Sequence, residues 1–390
     1  MQFIKENRIL LIWGAIAFVL AFSFAKPSYV STHIESEEND TLIHFSFTKE
    51  QKEELAIFFN NRAKNRHFNG TVLIGQKDSV FYAESFGFAN FKNKDTLTLD
   101  HSFQLASLSK QFTAVAILQL YEQGLLKLTD SIQRFFPEFP YKGISIHQLL
   151  THRSGLANYH YFFQHIATTC DTLLTNRDVI REMILKKPEV YYSPNKRYHY
   201  SNTGYALAAA IVEKVSGLAF EDYVQKNIFS PLHMNHSFTF PDKVNHLNDA
   251  ATGYLRRSKL AEDNYLDGVL GDKGIYTSTM DLFKWDQGLY NNSIINYDTL
   301  LLAFEPMGKP AHYKSNYGYG WRIMHYGNDS IKVLFHGGWW HGFKSLIMRI
   351  PKDSTTIIVL RNRSTGGSIP TKSLLKILYP EHKDSLVVNE

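Results

Sequence analysis

The sequence predicts a mixed α/β (α+β) fold, with a mixed-to-antiparallel β-sheet built from both ends of the chain, flanked by helices, and a mostly helical lobe inserted between. Three observations carry that prediction. Two β-like runs, 70–75 and 80–88, stand near the start of the folded part, separated by a turn at 76–79. Three more, 331–336, 343–350 and 355–361, stand near its end, with Pro351, Lys352 and Asp353 forming a turn. The stretch between is dominated by apolar runs of helical period, notably 114–123 and 205–215, each stopped by a glycine, Gly124 and Gly217.

In chain order, Lys5 and Arg8 precede an apolar run, 9–25, that ends at Lys26 and Pro27. Residues 1–26 read as an export signal or an N-terminal membrane anchor, with Ser23-Phe24-Ala25 as a small-x-small cleavage site. Basic residues on the inner side place the remainder in the periplasm or elsewhere outside the cytoplasm. Residues 27–50 are polar and read as a linker. Residues 51–385 form the folded domain, with an α/β lobe at about 51–115 and 325–385 and a helical lobe at about 116–324. Helices are expected at 51–64, behind Ser107, at 145–151, 176–186, 205–215, 220–228, 278–289 and 373–378, with a short apolar segment at 130–136. The aromatic-rich run 158–165 is either a core-facing loop or the rim of a cleft that grips a ring or acyl group, with Tyr159 the candidate contact.

Composition narrows the function classes. The 390 residues are 44% hydrophobic, 14% aromatic and 20% charged, which is an ordinary globular composition rich in aromatics and not that of a disordered chain. A net charge of +5 without a long Lys/Arg block gives no nucleic-acid groove. The single Cys170 excludes an intrachain disulfide and a cysteine metal cage; it is a buried small hydrophobe or an exposed thiol. The glycines at 268–274 have the wrong spacing for a phosphate loop, and the histidines are scattered. No metal or cofactor is expected.

Chemistry concentrates in three short patterns: Ser107-x-x-Lys110, Tyr200-x-Asn202 and His336-Gly337-Gly338. Ser107 and Lys110 are three apart and share a face on a helix. A serine hydroxyl is a weak nucleophile that needs a neighbouring base, and a lysine serves once burial or nearby cations lower its pKa. Each pattern alone is weak: Ser-x-x-Lys recurs at Ser46, Ser193 and Ser373, and Tyr-x-Asn at Tyr290 and Tyr326. Context separates the chosen set. The first heads an apolar helix, the second precedes another, and the third ends one β-run before the next.

With the flanking stretches 149–156 (LLTHRSGL), 200–205 (YSNTGY), 231–234 (PLHM) and 317–321 (YGYGW), the chain resembles the serine β-lactamase and penicillin-binding protein superfamily. The likeness is to its class C and D-alanyl-D-alanine carboxypeptidase branch, over about residues 60–365. The resemblance implies a β-lactamase/transpeptidase-like fold. It implies that Ser107 attacks a carbonyl, that Lys110 and Tyr200 carry the proton, and that Asn202 positions Lys110 and the substrate amide. It implies that His336 faces the cleft to bind a carboxylate or assist proton transfer, that Gly337 and Gly338 let the substrate backbone approach, and that the N–H groups of Ser107 and Trp339 form the oxyanion hole. A tyrosine beside an ammonium is expected to favour its phenolate. The partner implied is a small peptide, ester or β-lactam, with a D-amino-acid-containing cell-wall peptide (peptidoglycan) as the natural choice for an exported hydrolase. β-Lactamase, carboxylesterase and non-turnover sensor readings share the same machinery. His336 stands where β-lactamases of this branch carry lysine, which argues against efficient β-lactam hydrolysis.

Overall fold

The computed structural model describes residues 46–163, 173–255, 259–307, 315–327, 331–368 and 371–385. The chain divides into two units, 1–44 and 45–390, and the second carries the fold described below. The apolar run at 9–25, most of the linker and Cys170 lie outside the described residues. Among the described residues no helix is long and apolar enough to cross a membrane.

The chain enters through α1 (Lys49–Arg66), capped by the Thr48 side chain, which accepts from the Gln51 N–H. It then forms the hairpin β1 (Gly70–Gln76) and β2 (Ser79–Phe86), turned at Lys77 in the left-handed region. Short strands β3 (Phe88–Asn90), β4 (Asp95–Thr96) and β5 (Phe103–Gln104) lead to the 3-10 turn Ala106–Ser109 and to α2 (Lys110–Glu122). The helical stretch follows: α3 (Ile146–Leu150), α4 (Tyr159–Phe162), α5 (Asn176–Lys186), α6 (Asn202–Ser216) and α7 (Phe220–Val224). Next come β6 (Phe238–Thr239), β7 (Ile275–Thr277), α8 (Thr279–Gly288) and α9 (Tyr297–Leu301). The chain closes with β8 (Ser315–Tyr317), β9 (Arg322–Tyr326), β10 (Ile331–Trp340), β11 (Phe343–Ile350), β12 (Thr355–Arg361) and α10 (Thr371–Leu378).

The main sheet has seven strands in the order β2-β1-β12-β11-β10-β9-β8, and every pairing is antiparallel. It therefore joins the two ends of the folded part through β1 and β12, as the sequence predicts. Alternation along the strands splits the core into two layers. Val72, Ile74, Val359, Ile357, Leu346 and Met348 face α1 and α10, against Leu55, Phe59, Leu374 and Leu375. Leu73, Ile358, Leu360 and Ile347 face the other way, into the larger cluster that includes α2, α6 and α8.

Two boundaries differ from expectation. The C-terminal part of the sheet begins at Ser315, not near 325, because β8 pairs with β9 and β9 with β10. β10 also does not stop at His336. It runs on to Trp340 because β11 continues to pair with residues 337–340. The glycine pair that reads as a strand end is the middle of a strand.

A candidate active site at the edge of β10

A three-stranded sheet, β5-β7-β6, brings two distant segments together. β5 runs directly into the Ser107 turn, and β7 follows directly from residues 270–274. Thr113 Oγ1 donates to the Gly271 carbonyl at 2.7 Å, and Lys110 Nζ donates to the Asp272 carbonyl at 2.7 Å. Gly271 has φ +95°, and a Cβ there would meet the Tyr205 carbonyl at 2.6 Å, so only glycine fits. Ser107 sits in the 3-10 turn, one residue after Ala106, whose φ of 52° is unusual for a residue with a Cβ. The α-helix proper begins at Lys110, so the nucleophile candidate precedes the helix instead of heading it.

Ser107 is half-buried and Lys110 fully buried, with Nζ 3.2 Å from Ser107 Oγ. Burial pushes the Lys110 ammonium down to about 7; the Asp272 carboxylate opposes that fall, and Arg322 adds to it. The lowered pKa makes the neutral amine accessible around neutral pH, which gives the serine the base it needs.

Tyr200 lies beside the same hydroxyl, close enough for Ser107 to act on its phenol and pull its pKa down. Its position follows from the segment 149–159. The Tyr205 O–H donates to the Leu150 carbonyl (2.7 Å), Thr203 Oγ1 to the Ala157 carbonyl (2.6 Å), and the His199 N–H to the His152 carbonyl (2.8 Å). Gly204 approaches the Leu149 carbonyl so closely that a Cβ would lie 2.8 Å from it. The expected stabilised phenolate is not found. Burial raises the Tyr200 pKa, and this outweighs the hydrogen bond from Ser107 and the nearby Arg322. Tyr200 is a neutral phenol, so the two partners are not equivalent: Lys110 is the group poised to lose a proton near neutrality.

Asn202 lies at the first turn of α6, but the bonds of Lys110 go to Ser107 and Asp272, not to Asn202. Among the described residues the buried Asn202 Oδ1 has no hydrogen-bond partner. It is an unsatisfied acceptor beside the site.

His336 differs most from expectation. It is buried, and its Nδ1–H donates to the Gly337 carbonyl at 2.7 Å. That bond fixes the tautomer, leaving Nε2 to accept from the Tyr317 hydroxyl at 3.0 Å. Burial, then the charges of Arg322 and Lys110, hold its pKa well below the usual imidazole value. A neutral, internally bonded ring does not supply the cation for a carboxylate. Tyr159 is also corrected. It is not a cleft rim but a buried residue whose hydroxyl donates to both Asp272 carboxylate oxygens (3.2 and 3.1 Å) and accepts from Lys273 Nζ (2.8 Å).

Gly338 has a different reason for its identity than substrate approach. A Cβ there would lie 2.0 Å from the Leu105 carbonyl and 3.0 Å from Ala106 Cβ, so β10 seats directly on the nucleophile turn. At Gly337 the nearest atom would be the Ser345 carbonyl at 3.3 Å. β9 pairs only with residues 331–335 of β10, while β11 pairs with 334–340. Among the described residues no strand pairs with the other edge of 336–340, beside Ser107. The Trp339 side chain is 65% exposed on this stretch.

Three site residues escaped the sequence reading. The His152 ring packs tilted, 4.2 Å from the Tyr200 ring, and accepts the Ser201 N–H at 3.2 Å. Burial and the charges of Lys110, His336 and Arg322 keep it neutral. Tyr317 holds His336. Arg322, half-exposed at the start of β9, sits 5.8 Å from the Tyr200 ring and 5.9 Å from that of Tyr317. His152 and Tyr317 lie in stretches that carry the resemblance, and that was the signal that pointed to them; Arg322 directly follows one.

A reachable serine, a buried amine of lowered pKa and a neutral phenol, under an open strand edge, make the constellation of a serine acyl-transfer site. The chain belongs to the Beta-lactamase family, whose model matches residues 56–376, and so to the serine hydrolases of the β-lactamase and penicillin-binding protein superfamily. Among its relatives is penicillin-binding protein 4* of Bacillus subtilis (strain 168), 33% identical over 328 residues, covering 80% of this chain and 72% of the relative. The octameric penicillin-binding protein homologue from Pyrococcus abyssi superposes with a TM-score of 0.73 at 28% identity, over 84% of this chain and 77% of the other. The D-amino acid amidase from Ochrobactrum anthropi SV3 shares the fold, with a TM-score of 0.71 at 22% identity, over 86% of this chain and 100% of the other.

Proposed function

We propose that this protein is an exported serine hydrolase that cleaves a peptide or amide bond next to a D-amino acid through an acyl-enzyme on Ser107. The observation that carries the reading is the 3.2 Å approach of a buried amine, with its pKa near 7, to a half-exposed serine hydroxyl. Lys110 takes the serine proton as Oγ attacks the carbonyl carbon. The proton passes through Tyr200 to the leaving nitrogen as the C–N bond breaks. Water then attacks the ester, and the same groups return the proton to Ser107. The N–H groups of Ser107 and Trp339 hold the oxyanion, each worth about 3 kcal/mol in the transition state.

The unpartnered Asn202 oxygen accepts the substrate amide N–H. Arg322, a permanent cation beside Tyr200, binds a carboxylate on the leaving group, the part His336 does not play. The apolar run at 9–25 and its basic flank support a place outside the cytoplasm, where D-amino-acid peptides of the cell wall are the natural substrates.

The test is a panel of D-alanyl-D-alanine peptides, a chromogenic cephalosporin and nitrophenyl esters on the protein and its Ser107→Ala variant. D-alanine release above the other activities, lost in Ser107→Ala, is the expected result. Arg322→Met should raise KM about 10–100-fold for peptides ending in a free carboxylate but not for nitrophenyl esters, whose pH profile alone should shift. Cephalosporin hydrolysis as the dominant activity, or a rate unchanged in Ser107→Ala, would overturn the reading.

A further inference from the structure

The cleft along β10 has two unlike ends. At the His336 end stand Tyr200 and Arg322. The proton carrier marks the side where the leaving group departs, so the acyl group must lie towards the other end, at Trp340. That end is built shut. The indole N–H of Trp340 donates to Asp267 Oδ1 at 2.6 Å, and His341 Nε2 bonds to Oδ2 of the same buried carboxylate at 2.9 Å. The Asn264 N–H also donates to that carboxylate, at 2.6 Å. The His160 ring packs 5.4 Å from the Trp340 ring, and the buried Lys273 ammonium lies 5.5 Å from it. Lys273 is itself bonded to the Tyr159 hydroxyl and the Val269 carbonyl. The tip of the β10–β11 hairpin is thus tied to three segments of the helical part: α4, the 3-10 turn Tyr265–Gly268, and residues 272–273.

Distances along the strand set how much room is left. Gly338 rests on Leu105 and Ala106, next to the nucleophile. Trp340 is two residues further, about 7 Å at the usual rise of a strand. An acyl chain lying along the edge past the oxyanion site has that ~7 Å less the roughly 3.5 Å contact distance of the indole, which leaves room for about one residue.

We infer that Trp340, backed by His160 and anchored on Asp267, is a specificity-determining wall that limits the acyl donor to about one amino-acid residue. This rests on the serine acyl-transfer reading above and narrows it. Of the wall-derived peptides named above, only short fragments whose acyl part is a single D-amino acid, with their amides and esters, remain substrates, and intact N-acylated stem peptides do not. The wall is a fixed part of the fold, because the Trp340 indole N–H and both Asp267 oxygens have partners inside the protein.

The experiment uses nitrophenyl esters, which share one leaving group and differ only in the acyl part: acetyl, D-alanyl, and N-acetyl-D-alanyl-D-alanyl. For the full chain, kcat/KM for the D-alanyl ester should exceed that for the dipeptidyl ester by about tenfold or more. Trp340→Ala should bring the two within about threefold of each other, and His160→Ala should shift the ratio in the same direction. The ratio does not depend on how much of a variant is folded. His160→Ala, which leaves the Asp267 bonds intact, carries the test if Trp340→Ala does not fold. Equal cleavage of both esters by the unaltered chain, with Ser107 acylated, would overturn the length limit alone. So would a ratio that neither variant moves. No ester cleavage and no modification of Ser107 would overturn the limit and the hydrolase reading together.

Discussion

At the scale of single residues, the protonation of Lys110 sets the reaction. Burial lowers its pKa to about 7, and the Asp272 carboxylate limits that fall. The amine is the working base only when neutral, so kcat/KM should rise with pH through an inflection near 7. Below it the rate should fall about tenfold per pH unit. Asp272→Asn removes the negative charge that raises the Lys110 pKa, so the inflection should move to lower pH. An inflection that stays in place or moves upward would contradict this role for Asp272. The same residues show what was legible beforehand. Ser107, Lys110 and Tyr200 form patterns readable at short range. Asp272 was not readable as a partner of Lys110, because they are far apart in sequence and meet only through the β5–β7 pairing. Tyr159 was misplaced for a related reason: an aromatic at the start of a short helix does not reveal that its hydroxyl is claimed by a buried carboxylate and ammonium.

At the scale of elements, β10 and the nucleophile turn form one unit. Ser345 Oγ donates to the Leu105 carbonyl at 2.6 Å, and Gly338 leaves no space for a side chain at the same place. Gly338→Ala should therefore displace the Ser107 turn and reduce kcat about 100-fold or more, as expected when reacting groups move by an ångström. Gly337→Ala, with its nearest atom 3.3 Å away, should cost much less. Steady-state kinetics on the two variants checks this, and equal losses would contradict it. Helix extents were largely legible because their caps are local. Thr175 caps the start of α5 and Gly217 the end of α6. The end of β10 was not, because glycines weaken a strand on its own and only pairing with β11 restores it.

At the scale of the whole molecule, the sheet is joined to the helical part by a buried ion pair. Arg349 on β11 lies 3.0 Å from Asp286 on α8, and the Thr356 hydroxyl of β12 donates to the same carboxylate. Asp286→Ala leaves a buried guanidinium without its partner and should cost about 3–5 kcal/mol of stability, read from the urea midpoint. The pair lies away from the site, so KM of the folded fraction should not change. A cost under about 1 kcal/mol would show that the pair does not join the layers. The union of both ends of the fold in one antiparallel sheet was visible in the placement of the β-like runs. The buried pair was not, because a lone Arg in a strand pattern and a lone Asp in a helix pattern each read as surface charge.

Intact mass spectrometry with peptide mapping, after brief exposure to penicillin or a fluorophosphonate, tests the central claim most directly. One covalent adduct on Ser107, formed fast at pH 8 and lost in Lys110→Met, is the predicted result. An adduct on another residue, or undiminished labelling of Ser107 in Lys110→Met, would contradict it.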